Sequence, residues 1–305
     1  MAEQLARLMN ADAARAHYDL QPARRASMPS DVDQQLTLHG IANIAISLSE
    51  SDFSALTASF DACIDDCPKT LANSYYIVDE RPSNSAGYVR KERKINQSGR
   101  QIEDPKSLYH FTETARDRWT RNYRTLPATF KQFLASGFEI QEILVDASRQ
   151  HIAGLEASHP NISKLYYPPE GPESLSFLRV LSYDGYNSNG DYDAVAKPHF
   201  DVGGVTIQAY ADALGFWGAK DGARGERRYF DTAPNTGFMF LGVEHAKIYG
   251  DQSYLKPLWH GVDRVTPAGV SSVPKRHAVI LFTDAPRVDY QTTNRHTSPE
   301  IVAAA

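Results

Sequence analysis

The apolar positions of this chain fall into two textures. From about residue 50 to 66, SESDFSALTASFDACID carries apolar side chains at helical spacing, and Ser51 or Asp52 is placed to cap the helix this predicts. A charge-rich stretch follows, RPSNSAGYVRKERKINQSGRQIEDPK, which reads as loops with a short hairpin. Two long helical patterns come next, TARDRWTRNYRTLPATFKQFLASG with a break near Pro127, then FEIQEILVDASRQHIAGLEA. At the N-terminus MAEQLARLMNADAARAHYDL predicts a short amphipathic helix, and the polar RRASMPSDVDQQ after it reads as a linker. No segment repeats at a fixed period, which excludes a solenoid.

After residue 160 the pattern becomes short β-rich runs between turn clusters: LSFLRVLSY, KPHFDVGGVTIQAYA, FMFLGVEHAKIYG, HGVDRVT and RHAVILFTD. Runs of this length and spacing predict a β-sandwich or barrel. Residues 1–36 then form an N-terminal helix and linker, 37–160 a helical front part, 161–285 a β core and 286–305 a tail. No long flexible linker separates these parts, so they are expected to form one domain.

Composition narrows the function classes. With 305 residues, 42% hydrophobic, the chain can bury a substantial core. A net charge of -5 argues against nucleic acid as a partner, which would leave a basic footprint. No apolar run is long enough for a membrane span, and the N-terminus lacks the apolar core of a secretory signal. The two cysteines, Cys63 and Cys67, form a C-x-x-x-C pair with no adjacent histidine, a poor zinc site. They read as two reduced thiols on one helix face in a cytoplasmic protein.

Candidate chemistry lies in KPHFDVGGVT. Alternate residues of a strand share a face, so His199 and Asp201 can present to one metal if the segment is extended. The pattern alone is weak, since His17 and Asp19 repeat it where nothing suggests a strand. Its plain reading is a strand with a solvated polar face. A third ligand must come from His245, His260 or His277, and His260 stands at the opening of a predicted strand. Two histidines and a carboxylate are the facial arrangement of non-haem iron(II), which leaves positions open for substrate-side ligands and O2. Arg276 opens the apolar strand RHAVILF, where a cation is costly without a partner. It either pairs with an acid such as Asp284 or grips a ligand carboxylate in two-pronged fashion. Iron with open positions and an arginine in the pocket is what a chelating oxo-acid such as 2-oxoglutarate requires.

Taken in order, these motifs resemble the 2-oxoglutarate and iron(II)-dependent dioxygenases, particularly their isopenicillin N synthase-like branch. HFDVGGVT resembles that family's H-[ST]-D-x-G-x-x-T motif, FDTAPNTGFMFLGVE its D-x-x-P-x-x-G stretch, HGVDRV its last-ligand strand and RHAVILF its R-x-S strand. The resemblance extends to EDPKSLYHF and spans roughly residues 36–285. It implies a double-stranded β-helix (a jelly-roll) buttressed by N-terminal helices, an α+β chain with a mainly β core. It further implies Fe(II) held by His199, Asp201 and His260, with Arg276 and Tyr183 taking the distal carboxylate of 2-oxoglutarate, and O2 as the second cosubstrate. The implied reaction oxidises a C–H bond by hydroxylation, desaturation or cyclisation, giving succinate and CO2. Halogenation is disfavoured because Asp201 retains the carboxylate that halogenases lack.

This sequence departs from the family pattern at Ala278, where the family usually has the serine of R-x-S, and in a longer interval between His260 and Arg276. An oxidase of the branch that dispenses with 2-oxoglutarate is therefore the alternative, with a non-catalytic jelly-roll binding protein as the remote one. Phe200, Gln208, Tyr109 and Arg287 are candidate substrate contacts. Charged segments carrying Arg90, Arg93, Arg287 and Arg295 point to a small polar or anionic metabolite, such as an amino-acid derivative. A monomer or homodimer is expected, with no nucleic-acid or membrane partner.

Overall fold

The structure, a computed structural model, describes residues 29–77, 85–91, 94–95, 101–103, 105–168, 175–183, 186–187, 194–249, 254–263, 265, 272–273 and 275–285. The predicted N-terminal amphipathic helix and the His17/Asp19 pair lie outside them. Part of the predicted linker does not: Pro29–His39 is a helix, α1. Its polar sequence conceals Val32 and Leu36, both buried, so packing overrides composition here.

The helical expectation for residues 50–66 holds as α2 (Glu50–Asp66), but Ser49 caps it. The Ser49 side chain accepts from the Asp52 amide, and Asp52 Oδ2 accepts from the Ser49 amide at 2.8 Å, a reciprocal capping box. A short α3 (Pro68–Ala72) follows. The next two patterns are divided differently from the expectation. Residues Glu113–Asn122 form α4, and one helix of 26 residues, α5 (Ala128–Ala153), runs straight through Gly137. Glycine is tolerated in mid-helix because the Phe111 ring lies against it, where any Cβ would collide. After α5 comes α6 (Ile162–Tyr166), and α7 (Val243–Tyr249) occupies the second half of the predicted strand FMFLGVEHAKIYG.

An eight-stranded antiparallel sheet runs in the order β1 (Ile41–Ala45), β13 (Thr236–Leu241), β10 (Val205–Ala211), β16 (Arg276–Asp284), β7 (Leu175–Tyr183), β6 (Lys106–Phe111), β3 (Ser85–Lys91) and β2 (Tyr76–Ile77). A four-stranded sheet has β12 (Arg228–Tyr229), β11 (Phe216–Ala219), β14 (Trp259–Asp263) and β9 (Ala194–His199). Two short ribbons pair β15 (Ser272–Val273) with β8 (Tyr186–Asn187) and β4 (Lys94–Ile95) with β5 (Gln101–Glu103). The front part is thus less helical than expected, since it contributes β1, β2, β3 and β6 to the large sheet. EDPKSLYHF, assigned to the helical half, is mostly β6. VRKERK begins as the end of β3 and is not wholly a loop.

Alternation along the central strands sorts residues onto two faces. One face of the large sheet packs on α2 and α5 through Tyr109, Phe111, Leu178, Val180, Val279 and Leu281. The other face meets the small sheet through Leu108, Leu181, Tyr183, Ala278, Phe238 and Phe240. The space between the two sheets holds the candidate site.

Candidate metal centre and cavity

Strand β9 ends at His199, and its register with β14 sets His260 directly opposite. The two imidazoles lie with ring centroids 4.5 Å apart. Asp201 follows in a bend, not in a continued strand as the sequence suggested. The bend is imposed from afar: a Cβ on Gly203 would strike the Asp284 carboxylate, and one on Gly204 the Tyr166 ring. Carbonyls of the bend accept from the first amides of α7, with Val243 N–H to Asp201 O at 2.8 Å and Glu244 N–H to Val202 O at 3.2 Å. The bend still carries Asp201 Oδ1 to 3.5 Å from His199 Nε2 and 3.7 Å from His260 Nε2. Among the described residues, this trio is the one cluster of His, Cys, Asp or Glu side chains spaced to hold a metal ion.

The surrounding hydrogen bonds orient all three donors. His199 Nδ1 donates to the Lys197 carbonyl at 2.9 Å, and His260 Nδ1 to the Leu258 carbonyl at 3.0 Å. Each imidazole therefore carries a proton on Nδ1 and turns its Nε2 towards Asp201, as metal-ligating histidines do. The Thr206 hydroxyl donates to Asp201 Oδ2 at 2.7 Å and leaves Oδ1 facing the two imidazoles. Burial lowers the His260 pKa, and the Asp201 charge opposes that shift. Burial opposes ionisation of Asp201, but the two imidazoles and the Thr206 hydroxyl outweigh it and hold the carboxyl below its usual range. Asp201 and His260 are buried while the His199 side chain is 45% exposed, so the centre is open on the His199 side.

A cavity of about 260 Å³ adjoins the trio. Its wall includes the three candidate ligands, Phe216, Phe240 and Phe282, and four cations: Lys91, Lys106, Arg179 and Lys197. Asp201 is the only acid among its described lining residues.

The other candidates are placed unevenly. Tyr183 and Gln208 line the cavity. Arg276 does not; it lies just beyond, buried, opposite Tyr183 in the β16/β7 register, with its guanidinium 5.4 Å from the Tyr183 ring centroid. Its Nε and Nη2 have no hydrogen-bond partner among the described residues, so it does not form the ion pair with Asp284 considered above. Phe200 packs on Trp259 and is not in the wall. Tyr109 is corrected outright: β6 alternation turns Leu108 to the cavity and Tyr109 into the aromatic core with Phe60 and Phe133. Arg287 lies outside the described residues. Of the rival histidines, His245 is buried against Tyr166, and His277 bridges Asp61 and Asp212.

Among the cavity residues that escaped the sequence reading are Lys106 and Arg179. Lys106 shares a row with Tyr183 and Arg276 across β6, β7 and β16, and its Nζ lies 5.2 Å from the Tyr183 ring centroid. Arg179 is the one charged residue inside LSFLRVLSY. The signal was the same one that singled out Arg276, a cation in an apolar strand.

Compared by sequence, the chain matches no family model and no curated protein. Its fold has many solved counterparts. A full-length Neurospora crassa protein, solved in complex with alpha-KG and thymine, is 16% identical, with a TM-score of 0.60 over 85% of this chain and 80% of that one. A Caulobacter crescentus chain given as a candidate 2OG-Fe(II) oxygenase family protein is 15% identical, with a TM-score of 0.64 over 88% of this chain and 89% of its own. The Arabidopsis thaliana dioxygenase for auxin oxidation, solved with 2-oxoglutarate, is 15% identical, with a TM-score of 0.58 over 85% and 90% of the two chains. With its two antiparallel sheets and flanking helices, the chain has the double-stranded β-helix fold of the 2OG-Fe(II) oxygenases.

Proposed function

We propose that this protein is an iron(II)- and 2-oxoglutarate-dependent oxygenase that oxidises a C–H bond of a small anionic metabolite. The observation that carries this reading is the convergence of two imidazole Nε2 atoms and one carboxylate oxygen beside an open cavity. Two imidazoles and a carboxylate suit non-haem iron(II), and three ligands from one side leave room for others. Bound there, the metal would supply O2 activation coupled to decarboxylation of 2-oxoglutarate to succinate and CO2, at the expense of a substrate C–H bond.

The chain's own part is to hold and orient. His199, Asp201 and His260 would bind the metal, with Lys197, Leu258 and Thr206 fixing their donor atoms. Arg276 fits the far carboxylate of 2-oxoglutarate, because a buried guanidinium with two unpartnered nitrogens is costly until an anion meets it. Tyr183 and Lys106, level with it on neighbouring strands, add a hydroxyl and a second cation where Ala278 offers none. The three phenylalanines keep water from the remaining wall. The cavity lies just below the roughly 300–1,000 Å³ usual for small-molecule sites, which favours a small substrate. Its four cations against one acid, itself a metal ligand, favour a negative one. Among neighbours of the same fold, JOX2 is solved with 2OG, Fe and JA.

The test is an anaerobic titration with iron(II) and then 2-oxoglutarate, following the visible charge-transfer band of the chelate. A band in the wild type, lost in Asp201→Ala and needing about tenfold more 2-oxoglutarate in Arg276→Ala, is the expected result. Iron binding with no band would overturn the 2-oxoglutarate assignment in favour of an oxidase that draws its electrons from the substrate alone.

A further inference from the structure

Arg179 is held in a way that a structural arginine does not require. It projects from β7 into the cavity, on the same face as Leu181 and Tyr183. Its Nε donates to His110 Nε2 at 2.8 Å. His110 in turn donates from Nδ1 to the Ser85 carbonyl at 2.8 Å, which fixes the tautomer that can accept from arginine. Burial, and then the Arg179 charge itself, push the His110 pKa far down, so the ring stays neutral and remains an acceptor. Aromatic rings flank the guanidinium, with the Phe282 centroid 4.5 Å and the Phe177 centroid 5.6 Å from its central carbon. The side chain is thus clamped at Nε and stacked on a ring, with its two terminal nitrogens left at the far end. Those nitrogens make no hydrogen bond to any described residue, and no carboxylate among the described residues forms an ion pair with Arg179. The acid whose charge it feels most is Asp201, which is committed to the metal.

Position separates this arginine from Arg276. In the β16/β7 register Arg276 faces Tyr183, while Arg179 faces Ile280, four residues along. That places the two levels about 13 Å apart along the sheet. Arg179 lies towards Phe282, which is paired with Thr206, the residue that holds Asp201. One cation therefore stands near the metal trio and the other at the remote end of the row.

We propose that Arg179, positioned by His110, is the anchor for a carboxylate of the primary substrate, separate from the Arg276 end that takes the cosubstrate. The inference rests on the oxygenase reading for the identity of the second ligand only. The free end of a guanidinium offers two parallel N–H groups that match the two oxygens of a carboxylate. Clamping Nε leaves that end as the one available. The substrate class is then a small monocarboxylic acid whose carboxylate sits on Arg179 and whose C–H bond reaches the metal side of the cavity. His110 acts through Arg179 and is a positioning residue.

The test uses hexanoate and hexanamide, which differ in charge but hardly in shape, titrated calorimetrically into anaerobic protein loaded with iron(II) and saturating 2-oxoglutarate. Hexanoate is expected to bind about tenfold or more tighter than hexanamide. In Arg179→Met the two should bind alike, while the 2-oxoglutarate band keeps its wild-type midpoint. Arg276→Met should do the reverse. Arg179→Lys, which keeps the cation and loses the two-pronged geometry, guards against a misfolded Met variant and should lose most of the preference. His110→Leu should reduce the acid-over-amide ratio at unchanged fold, and His110→Gln, which restores an acceptor oxygen, should recover it. Equal binding of acid and amide in the wild type overturns the proposal, as does an Arg179→Met variant that loses 2-oxoglutarate instead. If the wild type shows no 2-oxoglutarate band at all, the oxygenase reading fails separately. The acid-over-amide ratio in metal-free protein, compared between Arg179→Met and Arg276→Met, then still decides the role of Arg179.

Discussion

His277 carries a pH dependence whose sign and size follow from its surroundings. Its ring bridges two carboxylates, with Nδ1 2.7 Å from Asp212 Oδ2 and Nε2 3.0 Å from Asp61 Oδ2. Asp61, on α2, also accepts from Ser182 on β7 and pairs with Lys275 at 2.9 Å, so the cluster ties the helix to the large sheet. Burial alone would lower the histidine pKa, but the two carboxylates outweigh it and raise it from 6.5 to about 9. For Asp61 burial acts upward, and His277 with Lys275 outweighs it, bringing the carboxyl down to about 2. Both shifts describe one interaction and are counted once. Between pH 6.5 and 9 the folded state binds a proton that the unfolded state has released, so stability falls as pH rises through that window. The contribution is fully present below pH 6.5 and gone above about 9. At roughly 1.4 kcal/mol per unit, it amounts to about 3 kcal/mol. The assay is urea unfolding of the wild type and His277→Gln at pH 6 and pH 10, comparing the difference between the two proteins at each pH. The wild-type advantage should shrink by about 3 kcal/mol at the higher pH. A difference that does not change with pH would refute the reasoning, because it would make the ring a packing element and not a held proton.

Two further outcomes follow from close contacts elsewhere. Gly137→Ala should destabilise by about 1–3 kcal/mol in denaturant titrations, although alanine is the better helix former, because its methyl must displace the Phe111 ring from a full core; a stabilised variant would show that the ring gives way freely. Thr206→Val should weaken iron(II) binding by about tenfold or more, measured by competition with a chelator, since Asp201 loses the hydroxyl that turns Oδ1 to the metal; an unchanged affinity would mean the bend alone orients the carboxylate.

How legible each element was depends on how local its cause is. LSFLRVLSY and RHAVILFTD read directly as β7 and β16, because alternation, β-branched content and flanking turns all lie within the segment. The trio His199, Asp201 and His260 was legible too, since spacing within one motif and a histidine at a strand opening suffice to nominate it. What escaped has causes distant in sequence. The mid-helix Gly137 depends on Phe111, and the bend at Gly203 and Gly204 on Asp284 and Tyr166. Tyr109 was misplaced for a related reason. Placing EDPKSLYHF in the helical half hid the strand alternation that separates Leu108 from Tyr109.

The bend after His199 also brings the predicted trio together by a geometry other than the continued strand that nominated it. Had β9 continued, residues 199 and 201 would both have been fixed to the small sheet, at the spacing of a single strand. Instead His199 and His260 belong to the small sheet as a cross-strand pair, while Asp201 is tied to the large sheet through Thr206 on β10. The trio therefore straddles the seam between the two sheets. The cavity starts at the same seam and runs between the sheets along β7, which supplies Arg179 near the trio and Tyr183 at the far end. A residue two positions from His199 in sequence can thus answer to the opposite sheet, and two arginines of one sequence type can differ in place, with Arg179 half-buried in the cavity wall and Arg276 buried just beyond it.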